Sequence, residues 1–338
     1  MIDWLKFRIP WMPPRFDTTQ IVVIEPDGTV SWQKFKPLEV RGSWETSLHV
    51  TACPVSGRLL VDGNPVKFFQ GHNLWGCDDP RPIITHTLVY LRERLGLQIP
   101  DETIQLNGEF ELSRIDITQM FDFLTIRRVR DALRSIHARA RLRHRPGQAS
   151  TKEATVYMGQ HSRRWGVKFY SKWDEITAPK HKLAGGLLNR DDLFSYSAPA
   201  LRVEFVLRAM ELKARELHLL ANWYSTTAAD LYAELLNKLE LPSMIELTGA
   251  ALEGLSPRLQ LAYDAWKAGK DLRALLPDRT FYRYRLELMK HGIDISLKQD
   301  PAPVSNVIPL VQILRGTPMG IPEWAIDTEL VWKPSLRA

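Results

Sequence analysis

One segment organises the interpretation of the whole chain: Thr155-Val-Tyr-Met-Gly-Gln-His-Ser-Arg-Arg-Trp-Gly-Val-Lys-Phe-Tyr170-Ser-Lys-Trp-Asp-Glu175. Its apolar pattern predicts two short strands, 155–158 and 165–170, joined by a polar turn. Successive residues of a strand face opposite sides, so Val167 and Phe169 are expected to point into a core. Lys168 and Tyr170 are then expected on the other face, which places the tyrosine beside cations.

A tyrosine hydroxyl, with an unperturbed pKa of about 10, becomes a useful nucleophile toward a phosphate under two conditions. A base or metal must take its proton, and cations must bind the phosphate. Lys168, Lys172, Arg163 and Arg164 are the candidate cations. The alternative is that Tyr170 is an aromatic residue of an edge strand among solvated charges, and this segment alone does not decide between the two.

The composition is that of an ordinary globular protein. The chain has 338 residues, 44% hydrophobic and 25% charged, and its length suggests two domains. Cys53 and Cys77 are too few for a disulfide framework or a cysteine-based zinc site, which fits a reducing cytosol. No signal peptide and no run of about 18 apolar residues is found. We therefore expect a soluble cytoplasmic protein with no membrane partner.

The formal net charge of +6 favours polyanionic partners such as nucleic acid. The positive charge is concentrated between residues 127 and 145, where eight arginines accompany one acid, Asp131. Apolar residues recur there at helical spacing, among them Val129, Leu133 and Ile136. A solvated helix usually mixes charges of both signs, so this one is predicted to contact phosphates. The predicted contacts are Arg127, Arg128, Arg130 and Arg134.

The order of predicted elements indicates an α+β protein. Strands dominate residues 1–70 and return near 109–118, 155–170 and 200–208, with helices at 80–96 and 209–220 and an arginine-rich helix between them. This order predicts a mainly antiparallel sheet with flanking helices. We assign residues 1–225 to a strand-rich N-terminal and catalytic domain and 226–338 to a helical C-terminal domain. Two short runs, 66–69 and 307–314, are also interpreted as strands.

A helix predicted at 279–291 carries Arg279, Tyr282 and Arg283 in its first half. These are residue types that a recognition helix directs into a DNA groove. An ordinary amphipathic helix with a basic face explains the pattern equally well. Arg279 and Arg283 remain candidate DNA contacts, as do Arg163 and Arg164.

Two other predicted strands repeat an arrangement of arginine and acid. Along 112–118, Arg114 and Asp116 share one face, and along 201–208, Arg202 and Glu204 do the same. If both strands neighbour the strand of Tyr170, the two carboxylates converge on the tyrosine. The alternative is that each acid forms only a salt bridge with its neighbouring arginine.

Converging carboxylates would suit Mg²⁺ or Mn²⁺, which take oxygen ligands and keep waters that a phosphate can replace. Glu175 is a third candidate ligand, and His161 or His72 could complete a Mn²⁺ site. The chain has no phosphate loop, dinucleotide fingerprint, zinc-protease motif or hydrolase nucleophile motif. These classes are disfavoured, and no nucleotide cofactor is expected.

Taken together, the motifs resemble a known family, the replication initiators of filamentous phages of the gene II/X type, which start rolling-circle replication. The resemblance covers nearly the whole chain. It rests on Met1-Ile-Asp-Trp-Leu, Pro65-Val-Lys-Phe-Phe-Gln-Gly-His-Asn-Leu-Trp-Gly76, Leu112-Ser-Arg-Ile-Asp116, His161-Ser-Arg-Arg-Trp-Gly-Val-Lys-Phe-Tyr-Ser-Lys172 with Glu175, Leu201-Arg-Val-Glu204, and Asn306-Val-Ile-Pro309-Leu-Val.

The resemblance implies a site-specific, metal-dependent nickase and strand transferase acting at a double-stranded origin. A tyrosine attacks the scissile phosphate, keeps the 5′ end as a phosphotyrosine and leaves a 3′-OH for synthesis. The enzyme later rejoins the displaced strand. Tyr170 and Lys172 match the Tyr-x-Lys motif of the nucleophile, and Lys168 lies beside them. Asp116 and Glu204 match the strand acids.

The implied partners are origin duplex, displaced single-stranded DNA, and the host helicase and polymerase, in the host cytoplasm. One feature departs from the wider group of rolling-circle initiators, which often bind metal through a His-apolar-His strand. No His-x-His occurs here, so metal ligation is left to the acids. The roles of His72 and His161 stay open, with a structural turn favoured for His72. Tyr157 is a candidate second tyrosine in termination.

Two other functions fit parts of the pattern. A DNA-binding replication regulator of the same fold would keep the basic surfaces but would not depend on Tyr170. A tyrosine recombinase or type IB topoisomerase would form a 3′-phosphotyrosine without metal, so Asp116 and Glu204 would be dispensable. The initiator nickase is the interpretation adopted.

Overall fold

A nine-stranded antiparallel sheet forms the centre of the protein. The computed structural model describes residues 1–11, 19–53, 56–105, 109–142, 145–146, 148–149, 155–179, 181–241, 255–290, 295–296 and 310–334. The strands are β1 (Ile2–Ile9), β2 (Gln20–Ile24), β3 (Val30–Phe35), β4 (Leu38–Arg41), β5 (Ser47–Cys53), β6 (Arg58–Gly63), β7 (Glu111–Asp122), β8 (Arg141–Leu142), β9 (Arg145–Pro146), β10 (Gln148–Ala149), β11 (Thr155–Met158), β12 (Trp165–Ser171) and β13 (Ala200–Arg208).

The strand order in the sheet is β10-β11-β12-β13-β7-β1-β6-β5-β4, while β2 pairs only with β3 and β8 only with β9. Every pair is antiparallel. The predicted α+β fold with a mainly antiparallel sheet is confirmed. Within the described ranges, no helix is long and apolar enough to cross a membrane.

Twelve α-helices are assigned within the described residues. They are α1 (Pro65–Gln70), α2 (Pro80–Leu95), α3 (Asp101–Gln105), α4 (Ile126–Arg139), α5 (Lys172–Thr177), α6 (Arg190–Ser197), α7 (Ala209–Ala214), α8 (Thr227–Asn237), α9 (Pro257–Lys267), α10 (Leu272–Leu275), α11 (Asp278–Lys290) and α12 (Leu310–Arg315). The helices predicted near 80–96, 257–268 and 279–291 are confirmed as α2, α9 and α11.

Local sequence explains where α2 begins and ends. Asp79 accepts a hydrogen bond from the backbone N–H of Arg81, and Pro80 fills the first helical position, where no donor is needed. Gly96 ends the helix with a left-handed φ of 62°, which a residue without Cβ adopts freely. These are the signals from which the helix was predicted.

Two predicted strands are wrong. Residues 66–69 form α1, because Asn64 caps the N–H of Lys67 and Pro65 occupies the first turn. Within 307–314, the described part from Leu310 onward belongs to α12, and residues 307–309 lie outside the described residues. The helix predicted to reach residue 220 ends at Ala214, where Glu216 turns the chain with a φ of 59°.

The sheet separates an apolar face from a polar face. On β12 and β13, Val167, Phe169 and Val203 are fully buried in the main core. Helices α4 and α8 pack on this face and bury Leu133 and Leu235. Burying an apolar side chain of this size stabilises the fold by about 1.5–3 kcal/mol. The buried face therefore fixes which side chains of each strand point the other way.

The polar face is covered at one end and open at the other. Met120, on the same face of β7 as Asp116, packs with Trp75, Ile176 and Leu330 in a second apolar cluster. Around Asp116 the face borders a cleft. The second cluster thus closes one end of the cleft and leaves the other accessible.

A third apolar cluster lies within residues 255–296, where Trp266 of α9 packs with Phe281 of α11. Helix α4 joins this cluster to the sheet. The guanidinium of Arg134 lies 4.9 Å from the centre of the Trp266 ring, and Nη2 of Arg285 lies 3.3 Å from Nε2 of His137. The arginine-rich helix therefore connects the sheet with the C-terminal helices.

The C-terminal region contributes to more than one core. Leu231 and Leu235 of α8 and Leu310 and Leu314 of α12 belong to the main core of the sheet. Residues 255–296 form the separate third cluster. The division of the chain at residue 225 stays a prediction.

Arg134 does not face solvent as its predicted DNA contact requires. Its side chain is 4% exposed and pairs with Asp131 above the Trp266 ring. The prediction of a phosphate contact at Arg134 is therefore wrong, because the charge is used inside the fold. Arg130 also has an internal partner, Asp174 of α5, at 2.9 Å.

We predict that Arg134→Ala lowers the free energy of unfolding by about 3–5 kcal/mol, because it leaves the buried carboxylate of Asp131 unpaired. Arg279→Ala, at an exposed position of α11, should change that free energy by less than about 0.5 kcal/mol. Urea denaturation of both variants measures the difference. A change of less than about 1 kcal/mol for Arg134→Ala would mean that Asp131 finds another partner.

Candidate functional site

The registers of three neighbouring strands bring the predicted site together. Glu204 of β13 lies opposite Lys168 of β12 and Thr118 of β7, and Tyr170 lies opposite Arg202. Directly opposite residues share a face. The predicted adjacency of the strands carrying Tyr170, Glu204 and Asp116 is therefore found in the structure.

These side chains border a cleft with a volume of about 510 Å³. It lies on the polar face of the sheet. The lining includes Asp3, Trp4, Arg114, Asp116, Tyr157, Lys168, Tyr170, Glu175 and Glu204. The cleft thus combines carboxylates, cations and three aromatic rings.

Tyr170 lies at the inner wall of the cleft with 7% of its surface exposed. Its hydroxyl donates a hydrogen bond to Oε2 of Glu204 at 3.0 Å. Burial raises the pKa of Tyr170 well above its usual value, although the nearby guanidinium of Arg202 acts in the opposite direction. The phenol is therefore protonated at neutral pH, and its proton already points at a carboxylate.

Glu204 has a partner on each oxygen. Oε1 lies 2.5 Å from Nζ of Lys168, and Oε2 accepts the hydrogen bond of Tyr170. Burial alone would lower the pKa of Lys168, but Glu204 and Asp116 raise it above its usual value. The ammonium of Lys168, 26% exposed, is thus a stable positive charge at the cleft surface.

Asp116 is 2% exposed and accepts two hydrogen bonds from Arg114, from Nε at 2.8 Å and from Nη2 at 2.5 Å. Burial raises the pKa of Asp116 to about 7, and the negative charge of Glu204 acts in the same direction. The two strand acids therefore form a pair of buried carboxylates that repel each other.

This pair fits a divalent cation better than a larger ligand set does. Among the described residues, no group of three His, Cys, Asp or Glu side chains is arranged to hold a metal. Mg²⁺ is commonly bound by one or two carboxylates together with waters and phosphate oxygens. A cation would also relieve the repulsion between Asp116 and Glu204. Glu175 instead pairs with Lys172, so the structure does not support it as a third ligand.

A buried network of charged and amide groups lies next to Tyr170. Lys172 has no exposed surface, bonds to Glu175, and donates to Oδ1 of Asn73 at 2.7 Å. Burial lowers the pKa of Lys172 to about 8. Arg202, also fully buried, forms an ion pair with Asp3 at 3.1 Å and donates to the carbonyl of Asn73. Lys172 therefore acts on the site from the protein interior and has no surface for contact with DNA.

Sequence reasoning missed Asp3 and Asn73, and assigned Arg202 only as a partner of Glu204. The position of Arg202 on the polar face was readable from strand alternation. Nothing in the local sequence indicated that β1 lies beside β7, or that the segment after α1 approaches Lys172. These contacts depend on tertiary structure.

His72 is a structural residue. It is fully buried, its Nε2 lies 3.1 Å from the carbonyl of Leu330, and its Nδ1 accepts a hydrogen bond from the N–H of Leu74 at 3.3 Å. Burial lowers the pKa of His72 to about 3, so it is neutral. With both ring nitrogens engaged, it is not available as a metal ligand. His161 is exposed in the turn between β11 and β12 and does not line the cleft.

The predicted DNA contacts outside the cleft are placed differently. Arg163 is exposed, and Arg164 is half-exposed while bonding to Glu211 at 2.7 Å. On α11, Arg279 and Arg283 are exposed. Arg127 and Arg128 are half-buried in the first turn of α4. None of these arginines lines the cleft, so their contacts with DNA stay predictions.

Fold and site together define an α+β protein with a tyrosine and two carboxylates in a cleft on an antiparallel sheet. Two family models match the chain, both of the phage replication-associated protein that is the gene II product. The model of its N-terminal part matches residues 1–226, and the model of its C-terminal part matches residues 258–331. The chain therefore belongs to this family of phage rolling-circle replication initiators, as the resemblance of its motifs predicted.

A relative in this family is the replication-associated protein of Enterobacteria phage I2-2. It is 34% identical over 334 residues, which cover 95% of each protein. A more distant likeness is the structure of a rolling circle replication initiator protein from Geobacillus stearothermophilus, with 13% identity and a TM-score of 0.37. That comparison covers 71% of this chain and 85% of the other.

We predict that His72→Gln flattens the acid dependence of stability. The pKa of His72 is lower in the folded protein, about 3, than in the unfolded chain, about 6.5. Its contribution to stability is therefore complete above pH 6.5 and decreases as the pH falls toward 3. The decrease is about 1.4 kcal/mol per pH unit.

The measurement is the free energy of unfolding in urea at pH 7 and pH 4.5. The wild type should lose about 2–3 kcal/mol more over this range than His72→Gln does. His161→Gln, at an exposed position, is the control and should follow the wild type. Equal slopes for the wild type and His72→Gln would contradict a neutral, buried imidazole.

Proposed function

We propose that the protein is a metal-dependent, site-specific DNA nickase and strand transferase, with Tyr170 as its nucleophile. The observation that carries this proposal is the hydrogen bond from the Tyr170 hydroxyl to Oε2 of Glu204, 3.0 Å long, at the wall of a charged cleft. A phenol with a raised pKa needs a base, and this one has a carboxylate in contact with it.

In the proposed reaction, Oη of Tyr170 attacks the phosphorus of the scissile phosphate. The Oη–P bond forms and the bond from phosphorus to the 3′ oxygen breaks, while the phenol proton passes to Glu204. The products are a 5′-phosphotyrosine and a 3′-OH from which synthesis can start. Attack on the phosphotyrosine by a 3′-OH of the displaced strand reverses the chemistry and closes a circle without a nucleotide cofactor.

Cations beside the tyrosine support this step. Lys168 presents an ammonium at the cleft surface, in contact with the same carboxylate that accepts the phenol proton. Arg202 lies opposite Tyr170 and favours the phenolate electrostatically. Fixed charges of this kind stabilise the negative charge that develops on a phosphate under attack.

Asp116 and Glu204 are the residues that would hold Mg²⁺ or Mn²⁺, since they form the buried carboxylate pair. A bound divalent cation would supply positive charge to the non-bridging oxygens of the phosphate. Ionised Asp116 is required for this binding. Because the pKa of Asp116 is about 7, metal binding should strengthen as the pH rises through that value.

The same proposal names the partners. Origin duplex DNA and the displaced single strand would bind through exposed arginines such as Arg163, Arg279 and Arg283, mostly by phosphate contacts. The host helicase and polymerase would act on the 3′-OH and the displaced strand, in the host cytoplasm.

One observation favours a second function, that of a non-catalytic DNA-binding replication regulator. Only 7% of the Tyr170 surface is exposed, as for a structural tyrosine, and the phenol is protonated at neutral pH. A regulator would bind the origin without breaking it. Membership of the phage initiator family gives no support to a tyrosine recombinase or type IB topoisomerase.

We predict that Tyr170→Phe abolishes the covalent protein–DNA adduct but keeps binding to origin DNA, because only the hydroxyl is lost. The measurement is incubation with supercoiled origin plasmid and Mg²⁺, followed by mapping of the peptide attached to the 5′ phosphate. Tyr232→Phe is the matched control, since Tyr232 is a buried tyrosine of α8 outside the cleft, and its adduct should be normal. Nicking without an adduct at Tyr170 would sink the assignment of the nucleophile.

We predict that Asp116→Asn and Glu204→Gln each reduce nicking about 100-fold or more at low Mg²⁺. Glu111→Gln, on the same strand as Asp116 but outside the cleft lining, should nick normally. Asp116 also makes an opposite contribution to stability. Its pKa is raised in the folded protein, so its contribution is complete below pH 3.8 and is lost as the pH rises through about 7.

Relative to the wild type, Asp116→Asn should therefore gain stability between pH 5 and pH 8 while losing activity. Urea denaturation at the two pH values and a Mg²⁺ titration of nicking test both halves. Wild-type nicking in both carboxylate variants would remove the metal assignment.

A further inference from the structure

Two half-buried aromatic rings border the cleft on opposite sides of the carboxylate pair. Trp4 is on β1 and Tyr157 is on β11, and both are part of the cleft lining. The strands that carry Glu204 and Asp116 lie between them, in the order β11-β12-β13-β7-β1. Neither ring has a part in the proposed chemistry at Tyr170.

Each ring has a cation packed against it. The guanidinium of Arg114 lies 5.2 Å from the centre of the Trp4 ring, and Nζ of Lys168 lies 5.5 Å from the centre of the Tyr157 ring. These cations also pair with the two carboxylates of the site. The rings, the cations and the carboxylates therefore form one continuous surface.

Hydrogen bonds at the polar edges hold the rings in place. Nε1 of Trp4 donates to Oδ1 of Asp62 at 2.7 Å, and the hydroxyl of Tyr157 accepts from Nη2 of Arg208 at 3.0 Å. A ring fixed at its edge loses little further freedom when a flat group stacks on it. Both rings are thus prepared to receive a planar ligand.

The separation of the rings indicates what that ligand is. Four steps between neighbouring strands, of about 4.8 Å each, separate β1 from β11, which gives about 19 Å. Stacked nucleotides are about 3.4 Å apart along a strand, so this distance corresponds to about five or six of them. The two rings must therefore contact different bases, one on each side of the site.

We propose that Trp4 and Tyr157 are stacking platforms for unpaired bases of the scissile strand, one on each side of the phosphate that Tyr170 attacks. The position of that phosphate rests on the proposed function. An aromatic ring beside a cation is the combination that binds single-stranded nucleic acid, because the ring stacks on a base and the cation attracts the backbone. Bases inside a duplex stack on each other and are not available to the rings. The cleft therefore binds the origin strand after local melting.

The test compares two fluorescent probes by anisotropy, in EDTA so that no cleavage occurs. One is single-stranded oligothymidine of about 12 nucleotides, and the other is a backbone of the same length without bases. The wild type should prefer the probe with bases. Trp4→Leu and Tyr157→Leu should each weaken binding of oligothymidine about 5- to 150-fold and leave binding of the abasic probe within about twofold. Trp4→Phe and Tyr157→Phe, which keep a ring, should retain most of the preference.

Matched control variants are available away from the cleft. Trp32 on β3 is 46% exposed and also has a lysine against its ring, with Nζ of Lys34 at 5.4 Å, while Tyr224 is 66% exposed. Trp32→Leu and Tyr224→Leu should bind both probes as the wild type does. Because the readout is a ratio between two probes, a variant that is partly unfolded lowers both affinities and does not imitate loss of a platform.

Equal binding of both probes by the wild type would overturn the proposal, and so would Leu variants that keep the preference for bases. Ring-dependent binding of a duplex of the same length, as tight as that of oligothymidine, would overturn it in favour of paired DNA. The assay needs no cleavage, so it separates the two proposals. An adduct that persists in Tyr170→Phe removes the nucleophile alone, and a missing base preference with Tyr170-dependent nicking removes the platforms alone.

Discussion

The site depends on the neutralisation of a buried guanidinium. Arg202 has no exposed surface, and an unpaired charge in that position would be prohibitively unfavourable. Its ion pair with Asp3 and its bond to the carbonyl of Asn73 bring β1 and the segment after α1 against β13. Lys172 and Tyr170 lie against the same group of residues. The requirement to compensate one charge thus determines the position of the tyrosine and of the strand that closes the cleft beside it.

The sequence was sufficient to predict the central part of this arrangement. Strand alternation placed Tyr170, Asp116 and Glu204 on polar faces, and the strand order brought those faces together. The cleft was not predictable in full because β1 and β11 flank it through pairings that have no local signal. Trp4 was accordingly missed as a lining residue. Asn64 and Pro65 carried a helix-start signal that was interpreted as a turn between strands.

The arginine-rich helix shows a different limit of sequence reasoning. Its apolar stripe was correctly predicted, and Val129, Leu133 and Ile136 are buried. The arginines were interpreted as one basic surface, yet Arg134 and Arg130 pair with acids inside the protein. A count of charges along a helix does not reveal which of them face another element. Tertiary packing of α4 between the sheet and the C-terminal cluster decides this.

The central position of β1 has a consequence for how an active molecule is made. This strand pairs with β6 and with β7, which both follow it at a long distance in the sequence, and β13 must then add to the other edge of β7. Pairings so distant in sequence form slowly, because long loops have to close first. During synthesis, Asp116 leaves the ribosome well before Tyr170 and Glu204. An incomplete chain therefore cannot assemble the tyrosine with its carboxylates, and the growing polypeptide has no means of breaking DNA before its sheet is nearly finished.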